Sequence, residues 1–435
     1  MKRYLCIHGH FYQPPRENPW LEAIEVQDGA YPYHDWNERI NSECYAPNAL
    51  SRMLDDEGRI RKIISNYARI SFDMGPTLLS WMQAHAPNTY ELILEADKVS
   101  TRMHGGHGSA MAQCYNHLIM PLANKRDKIT QSIWGIKDFR HRFGRNPEGV
   151  WLPETAVDLE TLGILAGEGI RFTVLDQHQA RKVITKEGNA VDVSGGRIDP
   201  KHPYRCILPG GKEMAIFFYD GSISQAVAFE GLLKSGDQFR ARLLSGYAEK
   251  QEGPQLMHIA TDGESYGHHH RFGDMAMSYA LTTIEENELA RLTNYGEYLE
   301  LHPPTEQVEI VENTSWSCAH GIERWRSDCG CSSGFHPHWN QQWREHLRDS
   351  LDWLRDEVSP QYEKTASAFF KDPWAARDDY ISVMLDHGNL SDFLTRHTDG
   401  STEFEHMPDA IGLLELQRNA MLMYTSCGWF FDDIS

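Results

Sequence analysis

The feature that most limits how this chain can fold recurs through its first two thirds: a short unbroken apolar run, a polar or charged residue at or just past the run's end, then helical periodicity. Such runs stand at Tyr4 to Ile7, Gly149 to Leu152, Ile170 to Leu175, Met214 to Tyr219 and Leu256 to Ala260. Alternating apolar and polar residues mark a strand with one wet face. Continuous runs instead mark strands buried on both faces, as in parallel sheets wrapped by helices. The intervening stretches fit. Ile129, Ile133, Ile136, Phe139 and Phe143 recur at spacings of three and four before Gly144 and Pro147 stop the pattern. Leu159, Leu162 and Leu165 repeat the stripe between Asp158 and Gly169. The expected fold is therefore a set of β/α units around a parallel sheet or barrel.

Two regions depart from this rhythm. Residues 185–212 are rich in glycine, proline and charge and end in Pro209-Gly210-Gly211, which reads as a long loop or small hairpin. After Asn294 the strand candidates thin out, and Trp339, Trp343, Leu347, Leu351 and Leu354 predict an amphipathic helix packed by its apolar face. Two domains follow: a β/α barrel over 1–300 and a helical domain over 301–435. The apolar cluster from Cys427 to Ser435 has no polar tail, so the natural polypeptide is expected to continue.

Composition narrows the partners. A net charge of -20 with no Lys/Arg run to offset it opposes binding to phosphate backbones and anionic membranes. Met1-Lys2-Arg3 precedes only four apolar residues before His8, too short for a signal peptide, and no stretch is long enough to span a bilayer. Eight cysteines spread from Cys6 to Cys427 read as reduced thiols, so a cytoplasmic location is expected. Nothing in the sequence sets the oligomeric state.

Barrels and open α/β sheets carry their reactive groups past the carboxyl ends of the strands. Three candidate strands deliver such groups: His8-Gly9-His10-Phe11-Tyr12-Gln13-Pro14, Trp151-Leu152-Pro153-Glu154, and Asp262-Gly263-Glu264 after His258 to Thr261. Glycoside cleavage needs a carboxylate on one side of the anomeric carbon and a protonated carboxyl on the other, about 5–5.5 Å apart for retention. Glu154 and Asp262 are candidates for that pair. Phe11, Tyr12, Trp151 and Tyr266 offer rings on which sugars stack.

These motifs resemble glycoside hydrolase family 57. His8 to Pro14 is similar to its N-terminal His-Gln-Pro region, Gly149 to Glu154 to its nucleophile region, and Asp262-Gly263-Glu264-Ser265-Tyr266-Gly267 to its Asp-x-Glu-x-x-Gly acid/base region. The resemblance covers roughly residues 1–340, in order. At Gln113-Cys114-Tyr115-Asn116-His117 the chain lacks a glutamate that many members carry. Membership implies an incomplete (β/α)7 TIM-like barrel followed by a helical region, retaining chemistry on α-glucans or related α-glycosides, and no metal or other cofactor. It implies Glu154 as nucleophile and Asp262 as general acid/base. Sugar contacts are expected from His8, His10, Gln13, Trp151, His117, Glu264, Tyr266 and His268, and from Trp316, Arg324 and Trp325 in the helical region.

Two other functions fit some of these residues. A metal-dependent hydrolase or polysaccharide deacetylase would use His8, His10 and Asp262 as ligands, and a non-catalytic carbohydrate-binding protein would keep the cleft without turnover. Cys318-Ala319-His320, Cys329-Gly330-Cys331 and His336-Pro337-His338 do not match the spacing of paired zinc knuckles. A Cys-rich loop at the cleft edge and a structural zinc are the two readings they leave open.

Overall fold

The computed structural model describes residues 2–249, 253–334, 336–399 and 407–433. The chain divides into two compact units: Met1–Ala112, Pro147–Trp151 and Ile170–Ile310 form the first, and Gln113–Asn146, Leu152–Gly169 and Val311–Ser435 the second.

The first unit is built on seven strands: β1 (Arg3–Phe11), β2 (Ser71–Met74), β3 (Ala110–Gln113), β4 (Gly149–Trp151), β5 (Phe172–Asp176), β6 (Glu213–Tyr219) and β7 (Gln255–Asp262). Their order is β7-β1-β2-β3-β4-β5-β6. β1 pairs in parallel with both β7 and β2, and the parallel pairing continues from β5 to β4 and to β6. Every residue of β1 after Arg3 is buried, as a strand covered on both faces must be. The barrel is not closed. β6 and β7 are not neighbours in the sheet, although the Asp220 amide just past β6 donates to the His258 carbonyl at 2.9 Å. This is the incomplete TIM-like barrel expected from the family resemblance.

Beyond β6 the sheet continues. Tyr204–Ile207 runs antiparallel to β6 and parallel to Gln307–Ile310, which pairs with Ala180–Ile184, itself in a hairpin with Ala190–Asp192. The irregular stretch 185–212 thus supplies the hairpin turn and two further strands to the sheet.

Close packing explains one glycine. The turn after β7 runs directly against Phe11, and a Cβ on Gly263 would lie 2.3 Å from the Phe11 ring, which is fully buried.

In the second unit, the helix Lys125–Phe143 starts at Asn124, whose side chain caps the Asp127 amide, and ends at Gly144 in the left-handed conformation. The helix Leu159–Gly167 is capped by Asp158 through the Thr161 amide. Both lie between strand candidates, where β/α units place their helices, yet both group with the C-terminal helices. Trp134 of the first packs with side chains of Trp343–Ala366, Pro373–Asp379 and Met407–Leu422. Arg377, completely buried, donates to Asp127 and Gln417 at 2.9 Å each, and Trp134 donates to the Arg377 carbonyl at 3.1 Å. Removing one partner of such a pair leaves an uncompensated buried charge. Trp343, Leu347 and Leu351 pack on the core around Trp325 and Trp429. Trp339 differs from expectation: it precedes the helix, is half exposed, and stacks on His336 at 4.0 Å. Ile434 and Ser435, the end of the C-terminal apolar cluster, lie outside the described residues.

The Gly263 contact gives a first prediction. Gly263→Ala should lower stability by about 1–3 kcal/mol, because Phe11 has no space into which to retreat. A denaturant midpoint equal to that of the parent chain would show that the turn yields freely.

Candidate active site

Strand register places the first constellation. β1 aligns His10 with Asp262 on β7 and with Asp73 on β2, and His8 with Ser71. Residues two apart on a strand share a face, so both imidazoles turn toward β2. Asp73 bridges them, Oδ1 to His8 Nε2 at 3.0 Å and Oδ2 to His10 Nδ1 at 2.8 Å. His8 Nδ1 lies 3.0 Å from Ser71 Oγ. Trp151 stacks on both rings, with centroids 4.6 and 5.3 Å away. Burial pushes His8 below the ordinary imidazole range, against the pull of Asp73. Burial would raise the Asp73 carboxyl, but His10 and His8 together hold it below the usual range.

His8 and Trp151 are completely buried and form the wall behind His10. Both nitrogens of His8 are engaged by protein groups, Nδ1 by Ser71 and Nε2 by Asp73. Asp73 was not anticipated. Its strand, Ser71–Met74, is too short and too polar to stand out as an apolar run.

At the end of β7, Asp262 is exposed, whereas Glu264 two residues on is buried. Tyr45 OH donates to Glu264 Oε1 at 2.6 Å and the Tyr12 amide at 3.2 Å. Burial first, then the nearby Asp262 charge, pushes Glu264 up to about 7. One oxygen of Glu264 therefore anchors the segment after β1. Tyr266 is completely buried and its hydroxyl accepts from Thr261 Oγ1 at 3.1 Å. Gln13 accepts from Arg16 at 2.6 Å, and His268 Nδ1 lies 2.5 Å from Glu43, both partly exposed.

The second constellation belongs to the helical unit and centres on Glu154. Pro153–Thr155 is a single tight turn in which Glu154 and Thr155 take φ of 58° and 51°. Each such non-glycine residue costs on the order of 1–3 kcal/mol, a strain found at functional positions. The carboxylate is held in one orientation: Trp316 Nε1 donates to Oε2 at 2.9 Å and Ser317 Oγ to the same atom at 2.7 Å. The Trp316 amide adds a bond to the Glu154 carbonyl at 3.0 Å. Arg324 donates to the Ser317 carbonyl at 3.2 Å and lies over the Phe430 ring at 4.5 Å.

Trp325 and His117, expected as sugar contacts, are core residues. Trp325 is 0% exposed, edge-on to Phe430, and donates to the Ser426 carbonyl at 3.2 Å. His117 is 1% exposed with Nδ1 2.5 Å from Ser426 Oγ. In the loop that follows Ser317, Cys318, His320, Cys329 and Cys331 bring their ligand atoms within 4.8 Å of one another. His336 is directed elsewhere, 3.1 Å from Asp432.

An open parallel barrel with ionisable residues at the carboxyl ends of its strands is the architecture of a β/α-barrel enzyme. This chain belongs to glycosyl hydrolase family 57, whose sequence profile matches residues 7–311. Residues 339–435 match a domain of unknown function (DUF3536). The structure is similar to that of an exo-type maltose-forming amylase from Pyrococcus sp. ST04, at 17% identity over 100% of this chain and 76% of that one, with a TM-score of 0.74. It is similar to a GH57-type branching enzyme from Pyrococcus horikoshii (14% identity, 100% and 98% covered, TM-score 0.59). A 4-alpha-glucanotransferase from Thermococcus litoralis shares 15% identity over 91% of this chain and 55% of that one, with a TM-score of 0.55. At these identities the shared property is the fold. No curated protein matches the sequence, and no helix among the described residues is long and apolar enough to cross a membrane.

Glu264 generates a pH prediction. Its folded carboxyl, at about 7, sits above the ordinary 4.5, so between those values the folded state holds a proton that the unfolded state has released. Stability from this group is full below the lower value and falls as pH rises through the upper one. Glu264→Gln, which keeps an acceptor for Tyr45, should flatten the decline in denaturant midpoint across that window. An unchanged slope would mean that another group sets it.

Proposed function

We propose that this chain is a retaining α-glycosidase or α-glucan transferase in which Glu154 is the nucleophile and Asp262 the general acid and base. The observation that carries the assignment is the setting of Glu154: two consecutive left-handed residues and two side-chain donors on one carboxylate oxygen. A merely structural turn has no need of that strain or that orientation, whereas an attacking carboxylate has to be held in line with its target.

In the first half-reaction, a Glu154 oxygen bonds to the anomeric carbon as the bond to the leaving oxygen breaks, and Asp262 gives that oxygen its proton. In the second, Asp262 takes a proton from water or a sugar hydroxyl, whose oxygen displaces Glu154 from the same carbon. Water gives hydrolysis; a sugar gives transfer. His10, in register with Asp262, is fixed by Asp73 to meet the substrate beside the acid. Trp316, which donates to Glu154, and Arg324, which donates to the Ser317 carbonyl, are further proposed sugar contacts.

The substrate class rests on what similar structures are described as: a maltose-forming amylase, a 4-alpha-glucanotransferase and a branching enzyme. An α-linked oligo- or polysaccharide is the common element. The cytoplasm is the proposed compartment, supported by eight free cysteines.

Glu154→Gln should leave a folded protein slower by on the order of 10³-fold or more, and a fluorinated glycosyl donor should label the peptide containing Glu154. Label on another carboxylate, or full turnover in the variant, overturns the assignment.

A further inference from the structure

The four residues of the helical unit whose ligand atoms converge are Cys318, His320, Cys329 and Cys331. The sulfurs of Cys329 and Cys331 each lie 3.9 Å from that of Cys318, and His320 Nδ1 is 3.6 Å from the sulfur of Cys331. Disulfide-bonded sulfurs sit about 2.05 Å apart, so no pair here is crosslinked, and all three cysteines are free. A tetrahedral ion with bonds of about 2.3 Å to sulfur and 2.0–2.1 Å to nitrogen would hold its sulfurs about 3.8 Å apart and each sulfur about 3.5–3.6 Å from the nitrogen. The observed edges agree with those lengths.

We propose that Cys318, His320, Cys329 and Cys331 bind one zinc ion as a closed, structural Cys3His site. Three thiolates and an imidazole select a soft or borderline cation over magnesium or calcium, and four protein ligands leave no position for a reacting water. Three thiolates around a divalent ion carry one net negative charge. Arg344 supplies the opposite charge: it is completely buried, donates to the Cys331 carbonyl at 2.9 Å and lies 3.9 Å from the Cys329 sulfur. Its Nε and Nη2 have no hydrogen-bond partner. A guanidinium so buried needs a compensating anion, and a metal-thiolate cluster is one.

The site explains how an irregular loop keeps its shape. Residues 315–331 hold little regular structure beyond the short turn Glu323–Trp325, yet they carry Trp316 and Ser317 to Glu154, and Cys318 is the next residue. The ion crosslinks the two ends of that loop. Zinc binding itself does not depend on the proposed role of Glu154.

Elemental analysis of the full chain, purified without chelator, should find about one zinc per molecule. Cys329→Ser and His320→Ala should lose it, and Cys206→Ser, a buried cysteine of the barrel unit, should keep it. Should those variants fail to fold, the parent chain still gives two readouts. An organomercurial should release one zinc as the three clustered thiols react, and cobalt(II) exchange should bring thiolate-to-metal charge-transfer absorption. A folded metal-free chain, zinc retained in both ligand variants, or a disulfide within the cluster found by mass spectrometry would overturn the proposal. Loss of zinc with the Glu154 label intact would separate this inference from the catalytic one.

Discussion

The first constellation depends on one carboxylate that has no access to water. Asp73, 0% exposed, meets an imidazole with each of its oxygens, and those bonds offset a desolvation penalty of several kcal/mol. They exist only because β1 is held in one register against β2 and β7, which sets His8 opposite Ser71 and His10 opposite both Asp73 and Asp262. Sliding β1 by one residue would turn both rings to the other face and strand Asp73 as an unpaired buried charge. The strand register and the chemistry at its end are thus the same constraint.

The two carboxylates given catalytic roles are prepared in different ways. Asp262 is exposed at the end of a buried strand, beside a second carboxyl, Glu264, which burial and the Asp262 charge push up to about 7. Glu154 is fixed by local geometry, a strained turn followed by donors from Trp316 and Ser317. An acid that must give and regain a proton gains from contact with solvent and substrate, whereas a nucleophile gains from a fixed direction.

Much of this was readable in the sequence because parallel strands buried on both faces leave continuous apolar runs, and β1, β4, β5, β6 and β7 all do. The helices Lys125–Phe143 and Leu159–Gly167 were legible from their stripes and caps, but periodicity says nothing of which unit a helix joins. Asp73 was missed because a short strand with an acid inside it resembles a loop. Sequence cannot separate the buried Trp325, Tyr266 and Trp151 from exposed rings, because an aromatic side chain carries the same signature in a core as on a stacking platform. The convergence of Cys318, His320, Cys329 and Cys331 could not be read from ligand spacing along the chain, because a loop sets their spacing in space.

The central claim is that Glu154 forms a covalent glycosyl intermediate, and the configuration of the first product tests it directly. Proton NMR of the anomeric signals, recorded in the first minutes of hydrolysis of an α-linked oligosaccharide, should show the α anomer appearing first and the β anomer only later by mutarotation. Release of the β anomer first would mean that water attacks the sugar in a single displacement, and the role given to Glu154 would be wrong.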